Sequence, residues 1–335
     1  MENVKLSELQ LQEFREKGYL VVPNVLSADE LLEAREGLRQ SLISRGVDPD
    51  NLSDSAAGLS KLSSTGGSGG VLDIFYDEWK LRLNQHPVIF SIMSDIWRAS
   101  YCSHNDLYSH IFGDIDPGKG FMYIDRLCYR VPEDISQKFS GAAGKKRSLQ
   151  RSLTPHLDCC PHKLYDFGDK PFPKWKPIQC FVALTDTLEK DQGGFECCPG
   201  FHQQFNEWAA SRLPSAPSDH PPCVGDFTPI RPVEDRGVIS QFTHVPCRAG
   251  DMVLWDYRLP HANSRYNLSS TPRAVVYLGF LPCISLNRAY AVEQLRRLAS
   301  GEPPGDQWHS SVGSNEPVQF PFSALGRRLV GLDVW

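Results

Sequence analysis

The chain has 335 residues, 41% hydrophobic and 22% charged, with a net charge of -5. These are the proportions of an ordinary globular protein, with room for one large β-domain carrying insertions or for two small domains. The acidic balance argues against a nucleic-acid binder, and no apolar run approaches the ~18 residues that cross a bilayer.

The chain opens with "MENVKLSELQLQEFREKGY", which lacks the apolar core of a signal peptide. Residues 1–117 read as mostly helical. "LQEFREKGYLVVPNVLSADELLEAREGLRQSL" is helix, short strand and helix, with a capping box between Ser27 and Glu30. Leu31, Leu32, Ala34 and Leu38 supply the apolar face of the second helix. The run "SDSAAGLSKLSSTGGSGG", Ser53–Gly70, is too rich in Ser and Gly to bury a core and predicts a flexible surface loop. Residues 72–100 read as helical again.

From about residue 118 to 285 the texture is that of strands. "GFMYIDRLCYRVP", "IQCFVALTDT", "GVISQF", "GDMVLWDY" and "RAVVYLGFLP" are rich in β-branched and aromatic residues and bounded by Gly, Pro or Asp. Short strands without intervening helices predict an antiparallel sandwich or a closed jelly roll, mainly β with flanking helices. Two insertions interrupt them, a basic one near 139–152 and a proline-rich one near 210–236. Residues 286–335 predict one amphipathic helix and a coil, completing a single domain over 1–335. The final "GLDVW" is neither a prenylation box nor a peroxisomal tripeptide. The expected location is the cytoplasm, and no membrane partner is expected.

Ten cysteines in such a chain read as reduced thiols rather than disulfides. Cys128, Cys180 and Cys283 lie in apolar runs, where the thiol packs as a small hydrophobe.

"LTPHLDCCPH", Leu153–His162, carries the chemistry. On a strand, residues i and i+2 share a face, so His156 and Asp158 project together. A third ligand must come from another strand, and His261, just past "GDMVLW", is the best placed. Two histidines and a carboxylate on one side of a metal leave open positions, the arrangement of non-haem Fe(II) oxygenases, whereas structural zinc prefers closed, thiolate-rich sets. Arg273 begins "RAVVYLGF" and shares a face with Val275 and Tyr277, so its planar fork can bind the far carboxylate of a 2-oxo acid. Arg265, its rival, lies in a loop-like run. A zinc-type cluster of Cys159, Cys160, Cys197, Cys198 and His162 is disfavoured because its vicinal pairs lack the CxxC grip. His202 reads as a structural turn residue. The cations Lys145, Lys146 and Arg147 form either a solvated loop or an attractor for an anionic substrate.

With these residues in hand, the sequence resembles the phytanoyl-CoA dioxygenase family. "FREKGYLVVPNVLSADEL", "HLD", "FVALTDTLEKDQGGFECCPGFH", "LPHANS" and "RAVVYLGF" follow the family's order over most of residues 10 to 285. Phe201 replaces the Ser usual in the family's Pro-Gly-Ser-His turn. The resemblance implies a double-stranded β-helix (cupin-like jelly roll) using Fe(II), 2-oxoglutarate and O2, with ascorbate as a reductant. It assigns His156, Asp158 and His261 to iron and Arg273 to the distal carboxylate of 2-oxoglutarate. It also places Phe181 as an aromatic wall of that pocket, and Tyr129 and Asn263 as hydrogen-bonding partners of the co-substrate. The expected activity is oxidation of a small organic metabolite by hydroxylation, desaturation or cyclisation, with release of succinate and CO2. Asp158 argues against halogenation, which needs a small residue there. An acyl-CoA or thioester hydroxylase and a non-catalytic binding module are the alternatives. The oligomeric state stays open, a monomer being compatible.

Overall fold

The computed structural model describes residues 5–102, 110–139, 148–168, 170–212, 223, 226–307 and 317–335. Ser7 and Gln10 cap α1 (Glu8–Lys17) reciprocally, and Gly18 ends it at φ 75°, a left-handed turn open to glycine without a Cβ penalty. β1 (Tyr19–Val22) follows. The Ser27–Glu30 box opens α2 (Ala28–Ile43), which buries Ala34, Leu38 and Leu42. Leu31 packs against the core, but Leu32, expected on the apolar face, points outward.

Residues 53–70 are not the expected loop throughout. α3 (Leu52–Ser55) and a 3-10 turn over Ala56–Leu62 bury Ala56, Leu59 and Leu62. Their spacing of three matches the three residues per turn of a 3-10 helix, which puts all three on one side. The glycine-rich remainder leads into β2 (Val71–Leu72). The helical stretch expected over 72–100 is two helices, α4 (Glu78–Asn84) and α5 (Pro87–Tyr101), because Pro87 starts a helix but cannot continue one.

The remaining order is β3 (Gly120–Arg130), α6 (Glu133–Lys138), β4 (His156–Leu157), β5 (Ile178–Ala183), β6 (Phe195–Cys197), α7 (Phe201–Ser211), β7 (Thr228–Pro229), α8 (Arg236–Ile239), β8 (Thr243–His244), β9 (Met252–Asp256), β10 (His261–Asn263), β11 (Arg273–Pro282), α9 (Ser285–Ser300) and α10 (Ala324–Val330). "GVISQF", read as a strand, is helical over Gly237–Ile239; a short apolar run carries no period that separates the two states. The tail holds a second helix, α10, docked through Leu329 and Val330.

The strands form two antiparallel sheets, β1-β9-β5-β11-β3-β2 and β7-β4-β10-β6-β8. Alternation gives the large sheet two jobs. Ile178, Cys180, Val182, Met252, Leu254, Ala274, Val276 and Leu278 face the helices and join a core with Trp97, Ile96 and Phe14. Phe181, Ala183, Val253, Trp255 and Val275 face the small sheet and meet Leu157, Phe195 and Cys197. Each fully buried Val, Leu, Ile, Phe or Met among them contributes ~1.5–3 kcal/mol, and together these side chains hold the sheets in register around the site. Among the described residues, no helix is long and apolar enough to cross a membrane.

Candidate metal centre

β10 lies between β4 and β6, and its register sets His261 directly opposite His156. Opposed residues on antiparallel strands share a face, and the two imidazole rings lie 4.4 Å apart, centroid to centroid. Asp158 follows β4 on the same face as His156. Its carboxylate oxygens stand 3.5 Å from Nε2 of His156 and 3.5 Å from Nε2 of His261. One ligand atom from each of the three residues lies within 4.8 Å of the other two.

The tautomers follow from the hydrogen bonds. Nδ1 of His156 meets the Thr154 carbonyl at 2.6 Å, and Nδ1 of His261 meets the Leu259 carbonyl at 3.0 Å. A carbonyl can only accept, so each Nδ1 carries the proton and each Nε2 keeps its lone pair for a cation. Enclosure opposes charge on Asp158, but the neighbouring imidazoles outweigh it and hold its carboxyl well below the usual range. Burial likewise opposes an imidazolium. At His156 the carboxylate overcomes that effect and raises the pKa; at His261 burial and the adjacent His156 keep it lowered.

Gln179 donates from Nε2 to Asp158 Oδ2 at 2.6 Å and fixes the carboxylate's rotation. Phe227 stacks on His156 at 5.1 Å, and Trp255 packs 5.1 Å from the His261 ring. The imidazoles are 4% and 6% exposed against 42% for the Asp158 side chain, so the site opens on the carboxylate's side. Two neutral nitrogens and one held carboxylate fit a divalent cation, with coordination positions left over.

Arg273, buried at the start of β11, lies on the same inner face as Val275 and Tyr277. Its Nη1 bonds Asn263 Oδ1 at 3.2 Å and Cys128 Sγ at 3.3 Å. Its Nε and Nη2 are buried without a hydrogen bond of good geometry, although the Tyr277 phenol lies close enough to interact with the guanidinium. The Phe181 ring lies 5.4 Å from the guanidinium, and burial pushes the Tyr277 phenol up to about 12. An enclosed cation with two uncommitted nitrogens suits a carboxylate.

The structure thus brings His156, Asp158 and His261 together, and Arg273, Phe181 and Asn263 beside one another. It does not bring Tyr129 there. The register of β3 against β11 runs Val276 to Leu127 and then Leu278 to Ile124, a bulge with one extra residue in β3. An extra residue exchanges the faces of everything beyond it, so Tyr129 packs with the helices and Cys128 takes the inner face. Arg265 is exposed, its guanidinium over the Tyr266 ring. His202 bonds the Arg15 carbonyl and ties α7 to α1.

Cys160 is bonded to Cys223, against the expectation of reduced thiols throughout, because the β7–β4 pairing returns the chain to the metal strand. Cys159, Cys197 and Cys198 are buried and free, without a zinc-type cluster among the described residues. Lys145, Lys146 and Arg147 lie outside the described residues, as do residues 213–222, 224 and 225 of the proline-rich insertion. In the sequence, Gln179 went unnoticed and Cys128 read only as a small packing hydrophobe. Gln179 could have been found, since it shares a face with Phe181 two residues on; Cys128 could not, without the bulge.

The model of the family described as Phytanoyl-CoA dioxygenase (PhyH) matches residues 161–275, a span holding His261, Arg273, Phe181 and Asn263 and beginning just after Asp158. The chain resembles the phytanoyl-CoA dioxygenase family. A putative phytanoyl-CoA dioxygenase of Dictyostelium discoideum is 25% identical over 157 residues, 47% of this chain and 39% of the relative, so the match spans well under half of that protein. Among solved structures, the GlcNAc-inducible protein GIG2 of Candida albicans superposes with a TM-score of 0.72 at 14% identity, over 100% of this chain and 78% of that one. The epimerase SnoN, solved in complex with Fe3+, alpha ketoglutarate and nogalamycin RO, gives 0.50 at 18% identity over 94% and 95% of the two chains. At these identities the likeness to the solved structures is one of fold.

Proposed function

We propose that the chain is a non-haem Fe(II)/2-oxoglutarate-dependent dioxygenase that oxidises a small organic metabolite, releasing succinate and CO2. The observation that carries this reading is the convergence of two Nε2 lone pairs and one carboxylate in a chain whose Arg273 offers two unsatisfied buried nitrogens. The family match and a fold shared with an enzyme solved with Fe3+ and alpha ketoglutarate support it. In this reading the two sheets are the halves of a double-stranded β-helix.

His156, Asp158 and His261 would hold the iron, which, with 2-oxoglutarate and O2 bound, supplies the oxidising power to attack a C–H bond. The protein's part is placement. Backbone carbonyls at Thr154 and Leu259 orient the imidazoles, and Gln179 orients the carboxylate. The open edge of the Arg273 fork, Nε and Nη2, matches a carboxylate that accepts two parallel hydrogen bonds. Phe181 presents a flat apolar wall beside that cation. Phe227, Phe195 and Trp255 shield the histidines from bulk water.

The test is succinate formation from 2-oxoglutarate by the purified protein with Fe(II) and ascorbate under air. Turnover should require added iron and disappear in Asp158→Ala. Full turnover in that variant would defeat the assignment.

A further inference from the structure

The run "SSTGGSGG", Ser63–Gly70, has no part in the metal set, yet it reaches the co-substrate's arginine. Its base is tied by Asp73, whose N–H meets the Leu62 carbonyl at 2.7 Å and whose carboxylate accepts from Ser64 N at 2.7 Å and Oγ at 3.0 Å. Ser63 Oγ accepts from Gly67 N at 3.1 Å. Arg151 clamps the tip, accepting from Gly69 N at 2.8 Å and donating to the Gly67 carbonyl at 3.1 Å.

Only glycine fits here. Gly69 and Gly70 have φ of 66° and 68°. A Cβ on Gly69 would lie 2.9 Å from Asn263 Nδ2, and one on Gly70 would lie 2.7 Å from Arg130 Cβ. That bare backbone lets the Gly69 carbonyl accept from Asn263 Nδ2 at 3.3 Å and from Cys128 Sγ at 3.0 Å. These are the two groups that meet Arg273 Nη1. With its amide nitrogen spent on Gly69, Asn263 must turn its oxygen to the guanidinium. With its proton spent on Gly69, Cys128 must turn a sulfur lone pair the same way. Nη1 is thereby satisfied from the loop's side, and the remaining nitrogens stay free for a ligand.

We infer that the glycine-rich segment Ser63–Gly70 is a positioning wall of the 2-oxo acid site, which sets co-substrate affinity through the Gly69 carbonyl's hold on Asn263 and Cys128. The inference rests on the reading of Arg273 as the 2-oxoglutarate anchor.

The experiment is calorimetric titration of 2-oxoglutarate into Fe(II)-loaded protein without oxygen, with Fe(II) affinity measured separately. Gly69→Ala should raise the Kd for 2-oxoglutarate about tenfold, the equivalent of one hydrogen bond to a charged group, and leave iron binding unchanged. Ser63→Ala, which removes a single oxygen behind the loop and adds no bulk, should shift it the same way by less; it decides the matter if Gly69→Ala does not fold. Gly46→Ala, at φ 79° with nothing within 4 Å, is the control for backbone strain alone and should bind as the parent does. A rise in either loop variant supports the inference, and no rise in both overturns it. Parent protein that binds Fe(II) but ignores 2-oxoglutarate would overturn the proposed function instead.

Discussion

Replacing Arg273 with leucine separates an anchor for a ligand from a strut of the fold. In the ligand-free protein the guanidinium is buried with Nε and Nη2 unpaired, and among the described residues no carboxylate forms an ion pair with it. Removing two unmet donors relieves ~1–3 kcal/mol each. The variant gives up the bonds to Asn263 and Cys128, ~1 kcal/mol apiece, and the contact with Phe181, ~0.5–1 kcal/mol. The relief of ~2–6 kcal/mol matches or exceeds the loss of ~2.5–3 kcal/mol, so Arg273→Leu should melt no more than about 3 °C below the parent when ligand-free. The effect on 2-oxoglutarate is one-sided. Two charge-assisted hydrogen bonds at ~1.5–3 kcal/mol each predict a loss of ~10²–10⁴ in affinity, and Arg273→Lys should fall between because it keeps the charge and loses the fork. Differential scanning fluorimetry with and without 2-oxoglutarate reads both effects, since a ligand bound only by the native state raises the melting temperature. A variant that loses several kcal/mol without ligand yet responds to 2-oxoglutarate like the parent would make Arg273 a structural residue and refute the argument.

Gln179→Leu should weaken Fe(II) binding ~10–100-fold by freeing the Asp158 carboxylate to rotate; competition with a chelator measures this, and an unchanged constant would count against the role given to Gln179. Asp306 is buried against Lys174 at 2.5 Å and accepts from the phenols of Tyr123 and Tyr290 at 2.8 Å each; burial opposes its charge, but Lys174 and those hydrogen bonds outweigh it and lower its pKa. A depressed folded-state pKa means the contribution is complete above the unfolded value of ~3.9 and lost as pH falls through the lower folded value. Asp306→Asn should therefore cost ~3–5 kcal/mol at neutral pH by stranding Lys174, and urea melts should show the gap to the parent closing below pH ~4; a gap independent of pH would exclude the ion pair as its source.

Much of the site was legible because strand alternation is a strict rule. His156 and Asp158 at i and i+2, and the face that Arg273 shares with Val275 and Tyr277, follow from period two, whereas His261 was read from its place just past an apolar run. Phe181 and Asn263 came from family likeness, and both lie beside Arg273. What escaped depends on distance in space. The bulge in β3 is invisible as spacing, yet it exchanges Tyr129 for Cys128 at the inner face. β4, β7 and β8 are two residues long, too short for any pattern to show. The glycine-rich run looked like slack chain because composition records how little it can bury, not where hydrogen bonds to Arg151 and Asp73 pin it.

The two-sidedness of the large sheet bears on how such a protein can change. Along β11, Ala274, Val276 and Leu278 answer to the helices, while Arg273, Val275 and Tyr277 answer to the interior. Adjacent codons therefore serve separate masters. A lineage could retailor every second residue toward a new chemistry and leave the alternate ones to keep the scaffold upright.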